Sequence, residues 1–305
     1  MPLNLPDNLP AIELLKEENI FIMNTTRAQL QDIRPLRLLV LNLMPLKIET
    51  ETDLIRILSN SALQIEITFL RIREHESKNT SAEHLEAFYQ TFDEIEDQCF
   101  DGMIVTGAPV ETFPFEEVSY WKPITRIFDW ARKHVTSTLY ICWAAQAGLY
   151  HFYGIPKYGL ERKLSGVFKH SVTDPKLPLF RGFDDEFYVP HSRHTEIRSE
   201  DVAKVPDLTI LSESGEAGLY MVMARSGREI FISGHSEYSP FTLDTEYKRD
   251  LAKGLPIDMP KNYYRDNDPA KGPLVRWRAH ANLLFSNWLN YYVYQATPFQ
   301  IEEIK

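Results

Sequence analysis

The sequence predicts an α/β protein with a mostly parallel sheet, helices on both faces of that sheet, and additional antiparallel β structure. The first half of the chain alternates strand-like apolar runs with helical segments four times, which is the pattern of a parallel sheet with right-handed crossovers. The second half carries short strand-like runs separated by turn residues, which indicates antiparallel pairing. The chain has 305 residues, 44% of them hydrophobic, so it is long enough to bury a large core.

The four strand–helix units follow one another directly. Residues 37–43 form a continuous apolar run, which is typical of a central strand buried on both faces. The other three strands are predicted at residues 64–72, 101–109 and 138–142. Helices are predicted after Thr50 and Thr52, after the capping-box pattern at residues 80–83 and through Ile95, over residues 115–134 with an interruption at Pro123, and from residue 143 onward.

The rest of the chain has a different character. Strand-like runs are predicted at residues 167–172, 186–189, 208–212, 219–224 and 229–238. A helix over 242–253, a Pro- and Asp-rich loop over 255–273 and a closing helix over 277–294 complete the chain. Residues 1–34 are punctuated by proline and are expected to form an N-terminal arm with a short helical patch near residues 11–17.

Composition limits the class of protein. The formal charge is −10, which argues against a nucleic-acid binder because such proteins usually present a basic face. The two cysteines, Cys99 and Cys142, give no disulfide framework and suit a reducing cytosol. Neither a signal peptide nor an apolar run of membrane-spanning length is found, so we expect a cytoplasmic protein with no membrane partner.

Cys142 is the first candidate catalytic residue. It lies where the apolar run of the fourth strand passes directly into a helix-forming segment. At such a corner the helix N-terminus stabilises a thiolate, and free backbone N–H groups can face an oxyanion. The alternative interpretation is a small cysteine buried at the end of a core strand, which is common.

The second candidate group follows another strand, in the segment Gly234-His235-Ser236-Glu237. His235 can act as a general base, and Glu237 can orient it. Taken alone, the pattern favours a polar strand end with an exposed Glu237, since strand ends are often polar. The carboxyl ends of parallel strands meet at one edge of a sheet, so we expect Cys142, His235, Lys47 and the loop over residues 107–111 to converge there.

Competing motifs are weaker. His191 and His194, with Glu196, have the spacing of a metal site, but they lie in a predicted loop without a nearby cysteine, and a hydrogen-bonded loop is the better interpretation. The sequence has no glycine-rich dinucleotide or P-loop motif and no Gly-x-Ser-x-Gly. We therefore predict no metal and no cofactor.

The motifs Cys142-Trp143-Ala144-Ala145-Gln146 and Gly234-His235-Ser236-Glu237 resemble those of the homoserine O-acyltransferase family of methionine biosynthesis (the MetA family). That family is similar in turn to class I glutamine amidotransferases, which implies a flavodoxin-like three-layer α/β/α fold and a single catalytic domain over residues 35–305. The resemblance extends over nearly the whole chain, through further segments at residues 43–47, 106–109, 162–168, 189–193 and 260–264.

The resemblance implies roles for individual residues. Cys142 would hold the acyl group as a thioester, His235 would move the protons, and Glu237 would orient His235, with ping-pong kinetics. Backbone N–H groups of Trp143 and of the loop at Gly107 and Ala108 would meet the oxyanion. Substrate-binding positions carried over from the family are Lys163, Ser192 and Arg249, with Arg249 clamping the homoserine carboxylate. Without the resemblance, Lys47 and Lys163 would be interpreted as solvated lysines.

The acyl donor depends on position 111. This position resembles the one at which the family selects between acetyl-CoA and succinyl-CoA. A glycine there leaves room for a succinyl chain. Glu111 fills that space and places a negative charge where the free carboxylate of succinate would go. A like-charge contact at about 4 Å costs roughly 1–4 kcal/mol, so acetyl-CoA is the expected co-substrate and homoserine O-acetyltransferase the expected activity.

Three other functions are also compatible with the sequence. A homoserine O-succinyltransferase would use succinyl-CoA, and a glutamine amidotransferase-type hydrolase would use the same triad and release ammonia. A binding protein without catalysis could also be built on this fold. The partners expected from the resemblance are L-homoserine, acetyl-CoA and a second copy of the chain in a homodimer.

Overall fold

A computed structural model describes residues 3–5, 9–17, 23–24, 34–73, 79–298 and 300–304. Most of the predicted N-terminal arm lies outside these residues, and the boundary at residue 34 stays a prediction. The described pieces of the arm include β1, β2 and a helix, α1, at the predicted position of the helical patch. β1 pairs in parallel with β2 and with β4. The bounds are Leu3–Leu5 for β1, Ala11–Glu17 for α1, Met23–Asn24 for β2 and Ile65–Leu70 for β4.

All described strands belong to one mixed sheet, in the order β2-β1-β4-β3-β6-β7-β12-β11-β10-β8-β9, with β5 paired to β4. The remaining strands are β3 (Leu36–Leu41), β5 (Tyr89–Gln90), β6 (Phe100–Val105), β7 (Val135–Ile141), β8 (Tyr158–Val172), β9 (Glu186–Glu196), β10 (Leu208–Ser214), β11 (Gly218–Ala224) and β12 (Glu229–Ile232).

The predicted fold class is confirmed. Pairing is parallel from β4 through β3, β6 and β7 to β12, and antiparallel from β12 through β11, β10 and β8 to β9. The helices are α2 (Lys47–Leu58), α3 (Ala82–Phe88), α4 (Phe92–Ile95), α5 (Trp121–His134), α6 (Trp143–Tyr153), α7 (Ser199–Val202), α8 (Thr242–Ala252) and α9 (Arg278–Asn287).

The central strand β3 shows why the sheet is covered on both faces. Side chains alternate across a strand, and Leu38 and Val40 lie in one hydrophobic core while Leu39 and Leu41 lie in the other. The first core is covered by α1, α2 and α9, and the second by α5 and α6. The continuous apolar run therefore has the two buried faces that its composition predicts.

Several predicted elements differ from the structure. The helix expected from residue 80 to Ile95 is two short helices, α3 and α4, separated by β5. Each has its own cap: Ser81 accepts a hydrogen bond from the His84 N–H, and Thr91 and Glu94 form a capping box. The helix predicted over residues 115–134 begins only at Trp121. Pro123 lies inside its first turn, where the missing N–H needs no partner.

Other differences concern length. β8 and β9 are much longer than predicted, since they form a two-stranded ribbon that extends past the sheet. The closing helix changes to a π-helix at Trp288–Tyr294. Within the described part of the chain, no helix is both long and apolar enough to cross a bilayer.

Candidate active site

Cys142 lies at a sharp corner between β7 and α6. Its φ of 53° and ψ of −113° are in a region that non-glycine residues rarely adopt. Its N–H donates to the Ile232 carbonyl at 2.7 Å, and its own carbonyl accepts from the Gln146 N–H at 3.2 Å. These bonds hold a conformation that would otherwise cost about 1–3 kcal/mol. A strained strand-to-helix corner of this kind presents a nucleophile at the N-terminus of a helix.

His235 and Glu237 follow β12, which pairs in parallel with β7, so the two strands end side by side. His235 Nδ1 and Glu237 Oε1 are 2.7 Å apart. Three further contacts fix the imidazole: its backbone N–H donates to the Pro190 carbonyl at 2.8 Å, its ring stacks on Tyr238 at 4.1 Å, and its side chain hydrogen-bonds Cys142. Cys142, His235 and Glu237 therefore form a continuous hydrogen-bonded chain.

Electrostatics favour a charged imidazole. Burial alone would lower the pKa of His235, but negative charge on Cys142 and Glu237 and the hydrogen bonds to both outweigh it, so the pKa lies well above its ordinary value. A raised histidine pKa beside a cysteine favours a thiolate–imidazolium pair. Such a pair can attack a thioester and protonate its leaving group.

Gly107 allows the loop after β6 to pack on the nucleophile. A Cβ at this position would lie 3.3 Å from the Cys142 Cβ and 3.5 Å from His235 Cε1. A larger residue would push the loop away from both groups. Ala108 follows in the same loop and is buried, as is Trp143, the first residue of α6. The first N–H groups of a helix lack intrahelical partners, so the predicted oxyanion position lies between this loop and α6.

The three substrate-binding residues predicted from the resemblance lie around two acidic residues of α8 that the sequence analysis missed. Lys163 Nζ lies 3.1 Å from Asp250 Oδ2 and 3.5 Å from Glu246 Oε2. The Ser192 hydroxyl donates to Glu246, and Arg249 Nε donates to Asp250 Oδ1 at 2.8 Å. Arg249 and Asp250 follow Glu246 by three and four residues, so helical periodicity places all three on one face. This spacing is the signal in the sequence that could have identified the two acidic residues.

Tyr238 connects this cluster to the triad. Its ring stacks on His235, and its hydroxyl donates to Glu246 Oε1 at 3.2 Å. Arg249 is about half exposed, so its guanidinium remains accessible to a ligand. The cluster therefore offers cations for a carboxylate and an anion for an ammonium group close to His235.

Glu111 is linked through Thr195 of β9 to α6, the helix that begins after Cys142. Thr195 Oγ1 lies 3.3 Å from Glu111 Oε2 and donates to Gln146 Oε1 at 2.8 Å, and Gln146 lies in the first turn of α6. Lys157 Nζ donates to the Glu111 carbonyl at 2.6 Å. Arg193, which no sequence pattern singles out, is buried and lies close enough to both Cys142 and Glu111 to be affected by their charges.

Lys47 is buried, so the interpretation of a solvated lysine is wrong for it. Its ammonium donates to the Asn42 carbonyl at 2.6 Å and the Met44 carbonyl at 3.4 Å, rather than to a triad residue. Burial lowers its pKa to about 8; the carboxylate of Glu51 opposes this shift and Arg71 adds to it. Lys163 is also largely buried, because its ammonium is held between Glu246 and Asp250.

The buried Lys47 predicts a pH dependence of stability. Above pH 8 the folded protein releases a proton that the unfolded chain keeps until about pH 10.4, so the free energy of unfolding should rise with pH in that window. Relative to Lys47→Met, the wild type should gain about 2 kcal/mol between pH 8 and pH 10. Urea denaturation of both proteins at several pH values measures this difference. A pH-independent difference would contradict the assignment.

The weak metal motif lies on β9, so the expectation that these residues form a hydrogen-bonded loop is wrong. His191 and His194 are three residues apart on β9 and so face opposite sides of the strand; His191 is buried and His194 is exposed. His191 stacks on His170, with their Nε2 atoms 3.1 Å apart. Burial lowers the pKa of His170 to about 4, which suits a neutral pair. Among the described residues, no group of three or more His, Cys, Asp or Glu side chains could hold a metal ion.

Solved structures with a similar fold include glutamine amidotransferases. One from Thermotoga maritima has a TM-score of 0.56 at 13% identity, and the match covers 85% of this chain and 98% of that one. Another from Methylobacillus flagellatus has a TM-score of 0.51 at 10% identity, with 85% and 95% covered. At such identities the likeness concerns the fold alone.

Sequence comparison is more specific. A protein named homoserine O-acetyltransferase from Parabacteroides distasonis is 72% identical over 305 residues, covering all of this chain and 98% of that protein. Proteins of the same name from Bacteroides fragilis and Desulfitobacterium hafniense are 70% and 59% identical, covering all of this chain and 100% and 99% of those proteins. The sequence model of the homoserine O-succinyltransferase family matches residues 2–299. This chain therefore belongs to the homoserine O-succinyltransferase family.

Proposed function

We propose that this enzyme transfers an acetyl group from acetyl-CoA to the γ-hydroxyl of L-homoserine, through a thioester on Cys142, in methionine biosynthesis. The observation that carries the proposal is the chain Cys142–His235–Glu237 at the N-terminus of α6, in a member of an acyltransferase family. Relatives at 59–72% identity that are named homoserine O-acetyltransferase support the choice of substrates.

The first half-reaction forms the thioester. The Cys142 thiolate attacks the carbonyl carbon of acetyl-CoA, and the negative charge moves to the carbonyl oxygen. In this proposal, backbone N–H groups of Trp143 and of the loop at Gly107 stabilise that oxygen. When the tetrahedral intermediate collapses, the carbon–sulfur bond to CoA breaks and His235 gives its proton to the departing thiolate.

The second half-reaction uses the same residues in reverse. Neutral His235 takes the proton of the homoserine hydroxyl, whose oxygen attacks the acetyl-Cys142 carbonyl. Collapse of this intermediate releases O-acetylhomoserine and regenerates the Cys142 thiolate beside an imidazolium. Because the two substrates share one site in turn, ping-pong kinetics are expected.

The cluster on α8 fits an amino acid in its zwitterionic form. Arg249 and Lys163 supply positive charge for the α-carboxylate, and a planar guanidinium can hold a carboxylate in two hydrogen bonds. Glu246, which accepts from Ser192 and Tyr238, supplies negative charge for the α-ammonium. Tyr238 links this cluster to His235, so a homoserine bound here extends its hydroxyl toward the base.

Glu111 supports acetyl-CoA over succinyl-CoA. Its carboxylate lies next to Thr195, which is hydrogen-bonded to the helix that begins after Cys142. The succinyl group carries a negative charge on the end remote from the thioester, so it meets both the bulk and the charge of Glu111. The name of the family, homoserine O-succinyltransferase, keeps succinyl-CoA as the alternative donor.

The proposal predicts that Glu111→Gly changes the donor preference. Initial rates with homoserine are measured for both CoA esters. The wild type should prefer acetyl-CoA, and the variant should gain succinyl transfer by about 5- to 1000-fold, since a like-charge contact of roughly 1–4 kcal/mol is removed. Glu111→Gln keeps the size of the side chain and removes its charge, so it separates the effect of bulk from the effect of charge.

A wild type that prefers succinyl-CoA would contradict the choice of donor. Release of ammonia from glutamine would favour the glutamine amidotransferase-type hydrolase.

We further infer that the enzyme acts in the cytoplasm as a homodimer and that acetyl-CoA serves as its co-substrate without a cofactor. A Cys–His–Glu arrangement supplies the nucleophile, the proton carrier and the orienting charge from the chain itself. The composition suits a reducing compartment. Sedimentation of the purified protein tests the oligomeric state, and retained activity after treatment with a chelator tests the absence of a metal requirement.

A further inference from the structure

A basic cavity lies at the same edge of the sheet as the triad. It has a volume of about 230 Å³ and lies between the residues after β4, the residues after β5 and the first turns of α5. The lining residues that matter here are Arg71, Arg73, Phe92, Asp93, Lys122 and Arg126. None of these residues has a role in the mechanism above.

The charge of this cavity is opposite to that of the protein. It is lined by four cationic side chains and one carboxylate, that of Asp93, in a chain with a formal charge of −10. Arg73 pairs with Asp93 at 2.9 Å and Arg126 with Glu96 at 2.5 Å, but both arginines remain about 60% exposed. Exposed ion pairs are weak, so these guanidinium groups are available to a more highly charged anion.

Two further features point to an anionic ligand. The Nε atom of Arg71 is buried and has no hydrogen-bond partner among the described residues. The backbone of Arg71 is fixed, because its N–H donates to the Gln90 carbonyl at 2.9 Å. The 14-residue helix α5 begins at Trp121 beside the cavity, so its N-terminus adds positive partial charge.

The cavity lies within reach of the nucleophile. In the sheet, β4 is separated from β7 by β3 and β6, so three strand spacings, or about 14 Å, separate the ends of β4 and β7. The pantetheine arm of CoA spans a comparable distance when extended. Lys47 lies between the two, close enough to Arg71 for their charges to interact. A thioester at Cys142 and a nucleotide at this cavity can therefore belong to one molecule.

A larger cavity, of about 580 Å³, does not lie at the edge of the sheet where Cys142 is. Its lining includes Arg132 and Arg225, and both interact with the buried carboxylate of Glu229. Glu229 is the first residue of β12, so this cavity lies at the opposite edge of the sheet from Cys142.

We propose that the cavity beside Arg71 binds the phosphate groups of the 3′-phospho-ADP portion of the acyl-CoA donor. The guanidinium groups of Arg71, Arg73 and Arg126 pair with phosphate oxygens, and Lys122 adds a fourth cation. The Arg126 guanidinium carbon lies over the ring of Phe92 at 4.7 Å, a contact that holds this cation beside the cavity. This assignment rests on the proposed function, because that function supplies the CoA ester.

The test compares a full donor with a truncated one. The variant is Arg73→Gln with Arg126→Gln, both exposed, and its matched control is Lys133→Gln with Arg278→Gln, which removes the same charge from exposed positions elsewhere. With acetyl-CoA, the variant should raise KM about tenfold or more, while the control stays unchanged. With acetyl-pantetheine, which lacks the nucleotide, variant and wild type should be equal.

Two results would overturn the assignment while leaving acetyl transfer intact: an unchanged KM for acetyl-CoA in the variant, or equal losses with both donors. A binding measurement keeps the proposal testable if the wild type transfers no acetyl group. Calorimetry with adenosine 3′,5′-bisphosphate should show binding to the wild type that the variant weakens about tenfold. Binding of inorganic phosphate without competition by this nucleotide would identify a simple anion site and contradict the proposal.

Discussion

Cys142→Ala should lower kcat/KM for homoserine acetylation by at least about 10⁴-fold, because removing the nucleophile of a catalytic unit leaves only binding and oxyanion stabilisation. The loss should appear in kcat, since neither the cluster on α8 nor the cavity beside Arg71 contains Cys142. The variant should also fold, because alanine can occupy the corner that Cys142 holds between Ile232 and α6.

The decisive measurement is chemical rather than kinetic. Incubation with acetyl-CoA in the absence of homoserine should add one acetyl group to the wild type, detected by mass spectrometry and assigned to Cys142 by peptide mapping. Cys99→Ala is the matched control, since Cys99 is the other cysteine and is only partly buried; it should acetylate normally. Full turnover by Cys142→Ala would exclude the covalent mechanism, and an enzyme that transfers acetyl groups without any adduct would also speak against it.

The fold could be predicted because local patterns and global packing agree. Residues 38–41 are apolar on both faces of the strand, and β3 is in fact buried by two different cores. The corner at Cys142 could be predicted for the same reason, since an apolar strand followed at once by helix-forming residues leaves little choice of backbone path. Polar residues after β7 and β12 then converge because parallel strands end at one edge.

What could not be predicted depends on pairing between distant segments. The length of β8 and β9 follows from their pairing with each other, which no local pattern in residues 158–166 indicates. The role of Glu246 depends on Ser192, 54 positions earlier in the chain, and that of Arg193 on its proximity to Cys142 and Glu111. The split between α3 and α4 arises because Tyr89 and Gln90 pair with β4, a tertiary contact that overrides their helical periodicity.

Glu237→Gln should reduce kcat by about 10²- to 10⁴-fold while leaving the KM for homoserine nearly unchanged. Glutamine keeps the size of the side chain but removes the charge that, together with Cys142, holds the pKa of His235 well above its ordinary value. The charged imidazole is then lost at lower pH, so the alkaline limb of the kcat/KM profile should move to lower pH. Glu186→Gln, an exposed carboxylate paired with Lys169 at 2.8 Å, is the matched control and should change neither quantity.

Asp53 lies near Glu237, and its effect on the pH profile must be distinguished from that of Glu237. Asp53 is largely buried close to Glu237, and a cavity of about 20 Å³, large enough for one water molecule, is lined by both. Burial raises the pKa of Asp53 to about 7, against the opposing effect of Arg56 and with a further contribution from the charge of Glu237. Glu237 Oε2 has no hydrogen-bond partner within the described residues, so a water in this cavity would join the two carboxyl groups.

Asp53→Asn removes the titration of Asp53 and leaves the contact between Glu237 and His235, so this variant should keep the alkaline limb of the wild type. If Asp53→Asn alone shifted that limb as far as Glu237→Gln does, the profile would report Asp53, and the role assigned to Glu237 would be wrong.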